Sequence, residues 1–220
     1  MRPVTLTVGP LTASSANNIA LSQTPTGGTF VLNGSLASGG IATLGSPQRI
    51  TITTTDTTHT FKITGTSPTW AVISETTPVG NGTSLTSALS YATVTSVVAS
   101  GTPTAATTIG TSGIGDAWVR LDEWANPGVS IQVDVTGTVN YTIQSSLDDP
   151  NSPTNPVLPA SMTWVNSPDA TAVAATAAIQ TSLGGFNAYA AMSPTFVRIV
   201  LNSGSGSVSA TVIQSSVTPR

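Results

Sequence analysis

The side chains able to do chemistry are few, and their spacing limits what they could do. His59 is the only histidine, three residues after Asp56. A carboxylate orienting an imidazole is two parts of a hydrolytic triad, but the chain has no cysteine nucleophile and no G-x-S-x-G elbow to complete it. A histidine exposed at a strand end is the reading that fits. Zinc draws on several His or Cys ligands, which a single histidine cannot supply. Asp148, Asp149 and Asn151 place three oxygen-bearing side chains in one short stretch, a set that suits a hard cation such as calcium. Their spacing is not that of an EF-hand, and Asp and Asn beside proline form turns by capping their own backbone. Asp122 and Glu123 are sequence neighbours, so on a strand they point apart and cannot flank a glycosidic bond. No catalytic residue, cofactor site or metal site is assigned.

The aromatic residues offer binding instead. Trp118, Trp124, Tyr141 and Trp164 could form a platform for a carbohydrate, or could serve as core and interface anchors. Asn33-Gly34 and Asn81-Gly82 are turn signals, since neither sits between a strand and a helix as a phosphate cradle requires. The sequons at Asn33, Asn81 and Asn140 acquire meaning only on a secretory route.

The elements that must carry these residues read as strands. From Val129 to Gln144 apolar and polar residues alternate, with Val129, Ile131, Val133 and Val135 on one face, then Gly137, then Val139, Tyr141 and Ile143. The spacing predicts a β-hairpin, and Phe196–Gln214 predicts a second that partners it in a sandwich or small barrel. Val4, Leu6 and Val8 alternate in a first strand that Pro10 ends. Arg49–Thr55 is expected to pair with Thr60–Thr66 in a meander continued by Trp70–Glu75, and Tyr91–Val98 supplies a further strand. Phe30–Leu32 and Ile41–Leu44 read as short strands. Pro150, Pro153, Pro156 and Pro159 make Asp148–Pro159 an extended surface loop. Met162–Val165 reads as a strand offering Trp164 to the core. Ala170–Thr181 is the one stretch with helical promise, with Asp169 as its cap. The expected fold is all-β, with antiparallel sandwich or barrel domains in tandem and at most one short helix. Residues 1–113 form an N-terminal β domain with an extended arm, and residues 114–220 a C-terminal sandwich.

Composition narrows the function classes. Only 7% of residues are charged, against about 25% in an average globular chain. Ser, Thr, Ala, Gly and Val dominate, which calls for a neutral, hydroxyl-rich surface. Six Lys and Arg residues are scattered and the net charge is −3, so there is no stripe to neutralise a phosphate backbone, and nucleic acid is not expected as a partner. No apolar run approaches the length of a membrane span, and MRPVTLTVGP lacks the apolar core of a signal peptide. A soluble protein made in a cytoplasm, with no membrane partner and no small-molecule substrate, is expected. Absence of cysteine leaves stability to packing and oligomerisation.

Several phrases then align with a known group. RPVTLTVGPLTASSANNIALSQTPTGGTFVLNG, RITITTT, FKITGTSPTWAVISET and WVRLDEWANPGVSIQVDVTGTVNYTIQSSLDDPNSP resemble virion structural proteins of tailed bacteriophages across most of the chain. The resemblance implies a β-rich, non-enzymatic particle component made in the host bacterial cytoplasm. The expected role is a capsid decoration (cement) or accessory head protein bound to the major capsid protein and to copies of itself as a dimer or trimer. A tail, neck or fibre protein with glycan or receptor binding is the alternative. The contacts expected to touch neighbours are Val4, Leu6 and Val8 in the N-terminal arm, Trp118 and Trp124, and Asp148, Asp149, Pro150, Asn151 and Pro153 in the proline loop.

Overall fold

The computed structural model describes residues 3–122, 128–167, 175–176, 181–182 and 194–214. Two compact units divide the chain: Leu11–Gly115 forms one, and Met1–Pro10 with Asp116–Arg220 forms the other, here called the split unit. Among the described residues the elements are strands in three antiparallel sheets, apart from a single 3-10 turn.

The chain opens with β1 (Val4–Val8), which belongs to the split unit. The 11–115 unit then follows as β2 (Ser15–Gln23), β3 (Ala37–Ser38), β4 (Ile41–Thr54), β5 (Phe61–Thr66), β6 (Val72–Thr76), β7 (Ser84–Ala99) and β8 (Thr107–Thr111). These form one sheet in the order β2-β8-β4-β7-β5-β6, with β3 on β4. Period-two alternation sends Ile50 and Ile52 of β4, Phe61 and Ile63 of β5 and Ile109 of β8 into one core, which Ile19 and Phe30 complete; Val94 and Val97 of β7 both join it because the β5–β7 ladder shifts register between them.

The expected meander is only partly present. Arg49–Thr54 pairs with β7 and β8 rather than with β5, and β5 lies between β6 and β7. Ile41–Leu44 is not a separate strand but the start of β4, and Phe30–Leu32 is held as a loop by the Phe30 amide donating to the Val97 carbonyl. Alternation reports which face is apolar. It does not report which strand lies alongside. The β4–β7 ladder breaks between Arg49 and Thr51, where Ser87–Leu89 bulges out of β7. The buried Glu75 carboxylate accepts the amides of Ala88 and Leu89 there, and the Ser87 hydroxyl accepts that of Ile50. The bulge thus leaves these donors paired. Burial, reinforced by the Glu75 charge, pushes the neighbouring Tyr91 phenol far above its usual range.

The β5–β6 turn carries an unusual residue. Trp70 has φ 65°, the left-handed region that favours glycine, and its side chain is 69% exposed. The Trp70 amide donates to the Ser67 carbonyl and the Ser67 amide to Ala71, which closes the turn around it. A left-handed L-residue costs about 1–2 kcal/mol, and so exposed an indole recovers little of that by packing. Trp70→Gly is expected to raise stability by about 1 kcal/mol, read as a higher urea midpoint at unchanged slope. A lower midpoint would show that the indole packs against the hairpin.

The split unit continues with β9 (Gly115–Arg120), β10 (Val129–Thr136), β11 (Val139–Ser146), the 3-10 turn at Pro159–Ser161, β12 (Val165–Asn166), β13 (Ala175–Thr176), β14 (Thr181–Ser182), β15 (Phe196–Gly204) and β16 (Ser207–Gln214). Two sheets form a β-sandwich, β1-β16-β10-β14 and β12-β11-β15-β9, with β13 also on β11. Val129, Ile131, Val133, Tyr141, Ile143, Ile199, Leu201, Val208 and Val212 are its buried filling.

Neither expected hairpin is a hairpin. β10 and β11 lie in different sheets, as do β15 and β16, and the ladders run β10 to β16 and β11 to β15. The two connections are corners that cross. The amides of Ser205 and Gly206 both donate to the Thr138 carbonyl, and a Cβ on Gly206 would lie 2.0 Å from the Thr136 carbonyl oxygen. Glycine allows backbone to lie on backbone there.

The placement of β1 and the boundary after Gly115 differ from the division expected at 113/114. β1, expected in an N-terminal domain, forms a full ladder with β16 from Val4↔Val212 to Val8↔Val208. Val8 is buried, and Thr5–Thr211 and Thr7–Ser209 hydroxyl pairs tie the outward side. A strand with one apolar row and an open edge to join is paired within its own chain. The candidate helix Ala170–Thr181 lies outside the described residues except for Ala175–Thr176 and Thr181, which are in strands.

Candidate functional site

Asp56 and His59 do come together, in a clamp. The buried Asp56 carboxylate accepts from the amides of Thr58, His59 and Thr104 and from the Thr58 hydroxyl, and lies 2.8 Å from His59 Nδ1. Desolvation would raise its pKa, but the amides of Thr58 and Thr104, with His59 and the Thr58 hydroxyl, outweigh that and hold the carboxyl far below its usual range. Both carboxylate oxygens are engaged in fastening the 56–59 turn to the loop at Thr104. This arrangement orders a turn, with the imidazole bonded through Nδ1 to Asp56 and the Thr58 hydroxyl.

The same unit has an open groove of about 470 Å³ walled by Ser14, Ser15, Thr51, Thr53, Ser84 and Thr111 among others. Its lining is hydroxyl and methyl, with no imidazole or carboxylate to activate a nucleophile.

The acids of the proline loop are likewise occupied. The Asp149 carboxylate accepts from the Asn151 amide and from Arg120 at 2.8 Å, while its carbonyl accepts from Ser152 and Val157. Asp148 accepts from the Thr163 amide. These are the turn-capping roles open to Asp in such a loop, and among the described residues no group of three His, Cys, Asp or Glu could hold a metal. Pro150 is half-buried, while Asn151 and Pro153 are exposed.

The richest surface is the outward side of the β12-β11-β15-β9 sheet. Alternation turns Ile143, Ile199 and Leu201 inward and leaves Gln144, Arg198 and Asn202 facing out. One hydrogen-bonded row crosses four strands: Arg198 bonds the Asp116 carboxylate at 3.4 Å and Gln144 Oε1 at 2.8 Å, and Gln144 Nε2 donates to Asn166 Oδ1 at 3.1 Å. Trp164 lies over the Arg198 guanidinium, 4.1 Å from ring centroid to Cζ. Trp118, 37% exposed, meets Trp164 edge-on at 87° and leans on Phe196, whose ring also faces Arg120.

Of the four aromatic residues proposed as a platform, Trp118 and Trp164 are brought together. Tyr141 is fully buried in the sandwich core, because it shares the parity of Val139 and Ile143. Trp124 and Glu123 lie outside the described residues. Trp164, expected in the core, is half-buried above the sheet. Phe196, Arg198, Gln144 and Asn166 were not singled out by sequence. Their signal was Arg198 inside the apolar run FVRIV, a charge that only an outward position tolerates. Val4 and Leu6 are half-buried and Val8 buried in β1, which forms an edge of its sheet. A scan against protein-family models and a search of curated proteins return no match to this chain.

Proposed function

We propose that this chain is a structural component of a tailed-phage virion, a decoration or cement protein that binds the shell of major capsid protein and associates with copies of itself. The observation that carries the reading is the character of the sheet surfaces. Thr51 and Thr53 on β4, and the Thr5–Thr211 and Thr7–Ser209 pairs on β1 and β16, present hydroxyls where most proteins present charge. Packing such faces against neighbours desolvates hydroxyls that re-pair, and spares the several kcal/mol that each buried ion would cost. The resemblance to virion proteins supports the same reading. The open edge of β1 and the exposed loop around Asn151 and Pro153 are the proposed contacts, and the role is binding rather than turnover.

Copy number tests it. Quantitative imaging of purified particles is expected to find the chain in the hundreds per virion, consistent with a symmetric shell. About a dozen copies or fewer would move it to the neck or tail, and absence from particles would end the virion reading. The second placement, a tail or fibre protein that meets host glycan, is favoured by the Trp118–Trp164 face alone.

A further inference from the structure

We infer that the outward face of the β12-β11-β15-β9 sheet binds a neutral pyranoside, with Trp118 and Trp164 as stacking surfaces and Asn166, positioned by Gln144, as hydroxyl partner. The inference rests on the glycan-facing reading for its setting, but its chemistry stands on the residues. A chain with 5% aromatic and 7% charged residues gathers on this one face the rings of Trp118, Trp164 and Phe196, Arg120 and Arg198 with their aspartates, and the amides of Gln144, Asn166 and Asn202.

Charge selects the ligand. Arg120 is held by the Asp149 carboxylate at 2.8 Å and Arg198 by that of Asp116 at 3.4 Å, so each guanidinium on this face is already engaged by a carboxylate. A uronate, sialate or phosphate would have to compete with those carboxylates for the guanidinium groups, whereas a neutral ligand does not. Shape selects it further. The C–H groups on a pyranose face carry slight positive charge and sit well on the negative face of an indole. Two indoles at 87° form a corner in which one ring can stack while the other bounds the sugar's edge.

Orientation is set before binding. Gln144 Oε1 accepts from Arg198 and its Nε2 donates to Asn166 Oδ1, which fixes both amides. Asn166 is exposed, and with Oδ1 taken, its amide nitrogen is the end left for a sugar hydroxyl. Groups held in place by neighbours lose little freedom on binding.

The test uses the full chain and the methyl glycosides of glucose, galactose and mannose, with methyl glucuronide as the charged comparison. Indole N–H resonances are followed by NMR, and binding heat by calorimetry. At least one neutral glycoside is expected to bind with Kd on the order of 1 mM, as its size allows. The Trp118 and Trp164 signals should shift and the Trp70 signal should not. Trp118→Ala, on an edge strand, is expected to weaken binding at least tenfold with the melting temperature little changed, and Gln144→Ala by a smaller factor. Trp70→Ala should leave affinity unaltered. No saturable binding by any neutral glycoside, affinity that survives Trp118→Ala, or preference for the glucuronide would each overturn the site. Failure here with hundreds of copies on the shell sinks the sugar site and leaves the virion reading standing. Sugar binding by a chain absent from particles does the reverse.

Discussion

Asp56→Ala is expected to destabilise the 11–115 unit by about 3 kcal/mol. Hydrogen bonds to a charged acceptor contribute about 1.5–3 kcal/mol each, and Asp56 accepts several. Thr57 and Thr58 are exposed, so water can reach part of what the substitution frees, and the loss stays well below the sum. For a unit near 100 residues this amounts to a fall in melting temperature of roughly 15 °C. Hydrogen exchange should show the loss in β4, β5 and β7. The carboxyl's folded pKa lies below its unfolded value. Its contribution is therefore fully present above the unfolded pKa of about 3.9 and is lost as pH falls below it. The gap in stability between the native chain and Asp56→Asn should narrow as pH is lowered from about 5 to 2. A gap independent of pH would show that the charge plays no part.

Gly206→Ala is expected to cost the split unit about 3 kcal/mol or more, at the upper end for overpacking. The added methyl would meet the Thr136 carbonyl oxygen at 2.0 Å, with Thr136 C and Val139 Cγ1 at 3.0 Å. The nearest obstacle is backbone, which cannot turn aside as a side chain can. Gly45→Ala is the control, since no atom lies within 4 Å of its Cβ position and its φ is not in the left-handed region. That change should be neutral or slightly stabilising. Faster exchange confined to β10, β11, β15 and β16 in Gly206→Ala would confirm the crossing. Native-like exchange there would mean the corners part without strain.

Fold class was legible because alternation is local: Val129, Ile131 and Val133 announce a half-buried strand whatever lies beside them. Partnership was not, since β10–β16 and β11–β15 are decided by a crossing of corners far apart in sequence. An arch and a hairpin share the pattern strand, glycine, strand. Within the aromatic site, Trp118 and Trp164 were visible by type, and the parity of Tyr141 was enough to remove it. The Asp116–Arg198–Gln144–Asn166 row was illegible because its members come from four strands whose order no local pattern encodes. Asp56 and His59 were visible as neighbours, but the reach to Thr104 was not.

The ladder between β1 and β16 also bears on how the protein is made. Val4 leaves the ribosome early, while Val212 emerges only after the 11–115 unit and most of the split unit have been synthesised. The 11–115 unit holds all its own strands and can fold during translation, as domains generally do. The first sheet of the split unit cannot close until its late strand arrives. Through that interval Val4, Leu6 and Val8 form an unsatisfied strand on every nascent chain, and neighbouring chains on one polysome could pair them incorrectly. Yield of correctly folded protein should therefore depend on translation rate and on chaperone supply more than its final stability would suggest.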